Sequence, residues 1–130
     1  MAEPHPQVVD PQHPAVVRLR AVCLRYPEAV EVNVWGRPTF RAGKKIFAVA
    51  GSSMAVPLSM VFKPDPEDEP ALRQDPRVFV PPYFGASGWL AVPLDGEVGD
   101  DEIAELVDAS YRQVALRRQL TALDADPVVR

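Results

Sequence analysis

Apolar positions along the chain first follow a helical spacing, then an alternating one, and then a helical one again. Between Pro14 and Tyr26 the apolar residues recur every three or four positions, which predicts an amphipathic helix ended by Pro27. A second stripe of this kind predicts a helix from Asp100 through Thr121, with acidic residues in its first turn. Both helices therefore have one apolar face that can pack in a hydrophobic core.

Prolines and glycines divide the middle of the chain into short segments, several of which alternate apolar and polar residues. The pattern predicts strands at 30–34, 39–41, 45–49, 55–62, 78–80 and 89–92. A short helix is predicted to start at Asp65 and to end before Pro76. This order of elements predicts an α+β fold in which helices pack on one face of an antiparallel sheet.

Length and composition fit a single domain. The chain has 130 residues, of which 47% are hydrophobic and 25% charged, so it can bury one core but not two. Residues 1–13 are mostly polar and contain three prolines, and we expect them to form a disordered lead-in. Residues 14–123 are predicted to form the domain, and residues 124–130 a short tail.

The sequence argues against several classes of protein. The apolar runs are too short for a transmembrane helix, and the start of the chain lacks the basic and apolar pattern of a secretory signal. Cys23 is the single cysteine, so no internal disulfide and no zinc framework are predicted. We therefore expect a cytoplasmic protein without a membrane partner.

Residues that carry catalysis are scarce as well. His5 and His13 both fall in the lead-in, and no glycine pattern matches a phosphate-binding or dinucleotide-binding loop. The acidic run Asp65–Glu69 lacks the spacing of a calcium loop and is predicted to be a solvated helix start. No catalytic residue, metal site or cofactor is predicted, although an enzymatic role is left open.

Charge is distributed unevenly along a chain whose net charge is -4. Residues 32–64 contain basic residues and no acidic one, whereas residues 65–108 are strongly acidic. The basic residues of the acid-free segment are Arg37, Arg41, Lys44, Lys45 and Lys63. On a β-hairpin they could hold phosphates, although lysines on edge strands also serve to prevent sheet-to-sheet aggregation.

Aromatic residues accompany this basic segment. Trp35 lies within it, and Tyr83 and Trp89 belong to a loop that begins with a proline pair and contains two glycines. We interpret these three side chains as candidates for stacking on a base or for lining a cleft. The alternative is a hydrophobic plug that packs the loop against the last helix.

These residues also resemble a known family. The stretches Trp35–Arg41 and Gly43–Ala48 match the "WGRPTFR…GKKIFA" centre of the MmcQ/YjbR-like proteins. Further matches are Lys63, Pro82–Gly85, Gly88–Trp89 and Ser110–Arg112. Their order and spacing agree over roughly residues 14–120, which is nearly the whole predicted domain.

The resemblance implies a frataxin/CyaY-like α+β architecture and a DNA-binding protein of the "double wing" type. A wing of this kind would be the hairpin around Arg41, Gly43, Lys44 and Lys45. Iron binding, as in frataxin-like proteins, is not carried over, because the acidic residues of this chain lie elsewhere in order.

Three functions are compatible with these observations. The leading hypothesis is a small cytoplasmic DNA-binding protein, whose weak binding would have a log–log salt slope near -4.5 for about five phosphate contacts. The alternative is a small-molecule or anion-binding domain with a cleft lined by Arg37, Lys63, Tyr83 and Trp89. The third is a protein-interaction module that uses the exposed sheet. The sequence leaves the oligomeric state open.

Overall fold

Five antiparallel strands form one sheet in which each strand pairs with the next along the chain. The computed structural model describes residues 6–126. Its strands are β1 (Ala29–Val34), β2 (Arg37–Ala42), β3 (Lys45–Ala50), β4 (Ser59–Phe62) and β5 (Leu90–Pro93). The order across the sheet is β1-β2-β3-β4-β5, so the sheet is a meander.

Helices cover one face of this sheet. They are α1 (Pro14–Cys23), α2 (Glu69–Gln74), α3 (Asp100–Val114) and α4 (Arg117–Ala125). A 3₁₀ turn at Phe84–Ser87 lies on the other face. Helix α3 contacts β3 and β4, and α1 contacts both α3 and β3. The predicted α+β fold is thus confirmed. None of the described helices is both long and apolar enough to cross a membrane.

The core lies between the sheet and the helices. Phe40, Phe47 and Phe62 project into it from three neighbouring strands and are fully buried. They meet α3, where the ring of Tyr111 lies 5.1 Å from that of Phe47 in an edge-to-face arrangement. The hydroxyl of Ser110 donates to the carbonyl of Phe47 at 2.6 Å, which ties α3 to β3.

A β-bulge sets which residues reach the other face. The pairing of β2 with β3 shifts between Phe40 and Arg41, so that Phe40 lies opposite Ala48 and Arg41 opposite Ile46. Phe47 and Ala48 therefore both belong to the core, although they are consecutive. Arg41 and Ile46 are left on the face of the sheet that the helices do not cover.

The single predicted C-terminal helix is in fact two helices. Ala115 and Leu116 adopt extended backbone angles between α3 and α4. The side chain of Gln119 is buried and accepts a hydrogen bond from the backbone N–H of Leu116 at 2.7 Å, which caps the start of α4. Arg118 thus lies at the start of a helix, where a cation is disfavoured, and Glu28 compensates with an ion pair at 2.9 Å.

Two predicted strands are shorter in the structure. The strand predicted at 55–62 begins at Ser59, because the chain before it forms a turn held by hydrogen bonds among Ser52, Val56 and Ser59. The strand predicted at 78–80 is a single bridge between Phe79 and Ala91. This bridge places the following loop against the uncovered face of the sheet.

Residues 6–13, the described part of the predicted lead-in, pack against the domain. Val8 and Val9 are buried, and the N–H of Val8 donates to the carbonyl of Gly36 at 2.8 Å. Gly36 permits this approach, since a Cβ there would come within 1.9 Å of the Pro6 oxygen. Residues 1–5 of the lead-in and residues 127–130 of the tail lie outside the described residues.

Candidate binding face of the sheet

The face of the sheet opposite the helices, here called the outer face, has one covered half and one open half. Val49, Val61 and Ala91 are buried on it, under a layer that includes Phe79, Phe84 and Trp89. This covering layer comes from the chain around the 3₁₀ turn. The side of the outer face toward β1 and β2 stays open.

Valines of β1 show how open this half is. Val30 and Val32 are 44% and 37% exposed, and the strand pairing places them on the outer face beside Arg41 and Thr39. The one acidic residue of the five strands, Glu31, lies on the opposite face and contacts Arg20 of α1 at 2.6 Å. The strands therefore bring no carboxylate to the outer face.

A groove of 670 Å³ separates the covering layer from the open half. Its lining is mostly aromatic and comprises Trp35, Arg37, Ile46, Tyr83, Phe84, Ser87 and Trp89. The rings of Trp35 and Phe84 meet edge to face with centroids 6.2 Å apart, and Phe84 continues to Trp89 at 6.5 Å. We call this feature the aromatic groove.

Trp35 reaches the groove from a tight turn. Val34 pairs with Arg37, so Trp35 and Gly36 alone connect β1 to β2. Both have positive φ, 58° and 76°, which is the backbone of a type I′ turn. Asn, Asp or Gly suit the first position of this turn, whereas a bulky indole is strained there. The turn holds the indole 44% exposed at the groove.

Tyr83 lies at the rim of the groove in a second unusual turn. The N–H of Phe84 donates to the carbonyl of Pro82 at 2.7 Å, which closes a turn of three residues. Tyr83 at its centre has φ 66° and ψ -60°, the strained form of the γ-turn. This backbone leaves Tyr83 89% exposed.

The guanidinium of Arg37 already donates several hydrogen bonds to the backbone of the domain. Its Nη1 donates to the carbonyls of Gly51 and Ser52 at 2.7 and 2.9 Å, and its Nε to the carbonyl of Trp35 at 3.2 Å. Burial lowers the pKa of this guanidinium, with the hydroxyl of Tyr83 acting in the opposite direction. Among the described residues Nη2 has no hydrogen-bond partner, so one edge of the guanidinium remains available at the groove.

The other predicted cations have fewer contacts with the rest of the domain than Arg37 has. Lys44 and Lys45 are exposed in and beside the turn between β2 and β3, and Arg41 and Lys63 are half-buried. Within residues 6–126 none of these four side chains forms an ion pair. Arg41 contacts Thr39 through a long hydrogen bond of 3.4 Å. The charges of this segment are therefore not neutralised by neighbouring carboxylates.

The hairpin of β2 and β3 is supported at its tip. Gly43 has φ 65° and its N–H donates to the carbonyl of Glu28 at 3.0 Å. A Cβ at Gly43 would lie 3.3 Å from the side-chain nitrogen of Gln119 in α4. The tip thus lies against the domain, and Lys44 is presented from a fixed turn rather than from a freely extended loop.

The structure brings together part of the predicted site. Trp35, Arg37, Tyr83 and Trp89 line one groove, whereas Lys63 is not among its lining residues. The sequence did not single out Phe84, which links the two indoles, although it lies in the same loop as Tyr83 and Trp89. Ile46 was also missed, since only the bulge turns it toward the outer face.

Across residues 6–126, no three His, Cys, Asp or Glu side chains are grouped so that they could hold a metal ion. Cys23 is fully buried, and burial raises the pKa of its thiol. The aromatic groove and the unpaired cations of the basic segment thus remain as candidate ligand-binding features of the described chain.

Comparison with known proteins adds two findings. A family model described as YjbR matches residues 24–113. The crystal structure of a Deinococcus radiodurans protein with a DUF419 domain is similar, with 25% sequence identity and a TM-score of 0.66. The similarity covers 82% of this chain and 85% of that protein. No curated protein matches the chain.

Proposed function

The chain belongs to the YjbR family, and from this premise we propose that it is a nucleic-acid-binding protein that uses the outer face of its sheet. Phosphates would contact Arg41, Lys44, Lys45 and Lys63. Arg41 lies on the outer face, whereas Lys45 pairs with the core residue Ala42 and so extends from the helical side of the hairpin, next to the turn that carries Lys44. The single observation that carries the proposal is that none of these four cations has a carboxylate partner within residues 6–126. Unpaired cations are free to exchange counterions for phosphates.

The surroundings of these cations support a polyanion as the ligand. No acidic residue occurs between positions 32 and 64, and no charged residue of either sign between positions 78 and 94. These two segments supply the open half of the outer face and its covering layer. A negatively charged partner is therefore attracted by the cations of the first segment and meets no negative charge from the second, although the whole molecule is acidic.

Arg37 plays a lesser part in phosphate binding than the sequence suggests. Two of its three nitrogens already donate to backbone carbonyls. With four remaining cations, the expected log–log salt slope is about -3.6 on duplex DNA, or about -2.8 on a single strand.

The alternative function, a small-molecule or anion site, would use the aromatic groove alone. The basic surface extends beyond the groove to the turn that carries Lys44, which a small ligand in the groove would leave unused. The proposal also retains a cytoplasmic location. It is supported by Cys23, a buried cysteine without a disulfide partner.

The test is a charge reversal at the hairpin. We expect the double variant Lys44→Glu/Lys45→Glu to weaken binding of labelled DNA at low salt by about 10-fold or more, and to reduce the salt slope by about two. Fluorescence anisotropy over a series of salt concentrations measures both quantities.

The matched control is Arg25→Glu/Arg73→Glu, which changes net charge equally at exposed positions on the helical side. We expect this control to stay within about 3-fold of the parent, because long-range charge alone is screened by salt. Equal binding by the parent and the hairpin variant would refute the proposal.

A further inference from the structure

The shape of the aromatic groove bears on which form of nucleic acid the protein prefers. We infer that the groove holds an unpaired base, stacked against Trp35 and Tyr83, so that single-stranded nucleic acid is the preferred partner. This inference rests on the proposed function, because it specifies the form of the same ligand. It goes beyond phosphate contacts by assigning a role to the aromatic residues.

Three aromatic rings line the groove in contact with one another, and two aromatic side chains at the groove are exposed. Trp35, Phe84 and Trp89 form a continuous row, with successive centroids 6.2 and 6.5 Å apart. Phe84 and Trp89 also pack on the buried residues of the outer face, which fixes the row in place. Trp35 and Tyr83 remain 44% and 89% exposed.

Exposed aromatic side chains at a groove suit an unpaired base. In an intact duplex each base is covered by its neighbours, and only base edges are accessible in the grooves. A single strand has bases whose faces can be taken up by aromatic side chains, and this stacking works with any base. The groove therefore discriminates between the two forms without reading sequence.

Backbone strain at both exposed aromatic residues also supports a binding site at the groove. Trp35 has φ 58° in a turn that favours Asn or Gly, and Tyr83 has φ 66° at the centre of a strained γ-turn. Tyr83 contributes little to the core at 89% exposure. Strain at residues that add little to packing is typical of binding sites, where it presets the position of a side chain.

Arg37 supplies the charge that a nucleotide needs beside its base. Its guanidinium lines the groove and is held by three hydrogen bonds to backbone carbonyls, which fix the position of Nη2, the nitrogen without a partner within residues 6–126. The volume of 670 Å³ lies within the range of about 300–1,000 Å³ typical of ligand sites. A proline-rich peptide also fits aromatic grooves. The acid-free, cationic surroundings favour the nucleic acid.

Intrinsic fluorescence reports directly on this groove, because the two tryptophans of the chain, Trp35 and Trp89, both line it. The experiment titrates the full chain at low salt with a short oligothymidylate, with an abasic strand of equal length, and with a duplex. We expect the oligothymidylate to quench tryptophan emission and to bind about 10-fold more tightly than the abasic strand. The duplex should leave the emission unchanged.

Variants of Tyr83 separate stacking from charge. Tyr83→Ala should bring oligothymidylate binding down to the level of the abasic strand and leave abasic and duplex binding unchanged. Tyr83→Phe keeps the ring and should restore the preference. Urea unfolding of each variant checks that the fold is intact, which is expected for a side chain as exposed as this one.

The outcomes are distinguishable. If oligothymidylate and abasic strand bind equally and the emission is unchanged, the groove is not a base site, while the phosphate-binding proposal stands. If neither strand nor the duplex binds at low salt, the proposed function itself fails and this inference with it. If a proline-rich peptide quenches the emission and oligothymidylate does not, the groove is a peptide site and the inference is overturned.

Discussion

The two faces of the sheet treat their charged residues in opposite ways. On the helical side several arginines are held by carboxylates: Arg77 contacts both Asp75 and Glu102 at 2.8 Å. Arg20 likewise forms two hydrogen bonds with Glu31, at 2.6 and 3.1 Å. These charges stabilise the molecule and are not available to a partner.

Among residues 6–126 the cations of the β2–β3 hairpin have no such carboxylates. Of these cations Arg41 lies on the outer face, where the strained aromatic residues Trp35 and Tyr83 are also exposed. Clustered cations repel one another, so this arrangement does not stabilise the fold. The net charge of the chain therefore does not predict the charge of this surface. An acidic chain can still present a basic surface, because its acidic residues lie in other segments and on the other side of the sheet.

The comparison is tested most strongly by removing one aromatic ring from each face. Phe47→Ala should lower the free energy of unfolding by about 3–5 kcal/mol, because the fully buried ring leaves a cavity between β3 and α3. Tyr83→Ala should change it by no more than about 0.5 kcal/mol. Urea denaturation measures both. Similar losses for the two variants would mean that the outer face is part of the core after all.

A smaller effect is expected in the pH dependence of stability. The guanidinium of Arg77 lowers the pKa of Asp75 from its usual value of 3.8 to about 2. Since this pKa is lowered in the folded state, the stability it contributes is present above pH 4 and is lost as the pH falls toward 2. Arg77→Gln should therefore reduce the loss of stability between pH 4 and pH 2.

The control for this measurement is Arg25→Gln, an exposed arginine without an ion pair among the described residues. It should follow the pH profile of the parent, measured by urea unfolding at each pH. A parent profile that is flat between pH 4 and pH 2 would show that the pairs of Arg77 are too exposed to matter.

The sequence predicted the elements better than their orientation. Alternation identified β1, yet its valines face the open outer side, while Glu31 turns inward to Arg20. The period of two reveals a strand but not which of its faces meets the core. The break at Ala115 escaped prediction because the apolar stripe continues through it. The capping interaction of Gln119 is local, but it starts at Leu116, which is not a residue type that marks the start of a helix.

The candidate site was predicted in part for similar reasons. Composition located the acid-free basic segment, and the proline and glycine pattern located the aromatic loop. Their meeting in one groove depends on the bridge of Phe79 to Ala91, which lays the loop onto the sheet. The occupation of Arg37 by the carbonyls of Gly51 and Ser52 likewise arises only from the folded chain.

One measurement tests the central claim directly, namely that the outer face is where a nucleic acid binds. It is an NMR titration of the full chain with a short single-stranded DNA at low salt, following backbone amides and the two indole N–H signals. We predict shifts at both indoles, around Lys44 and Lys45, and in the loop at 83–89. Shifts confined to α1 and α3, or none at all, would contradict the claim.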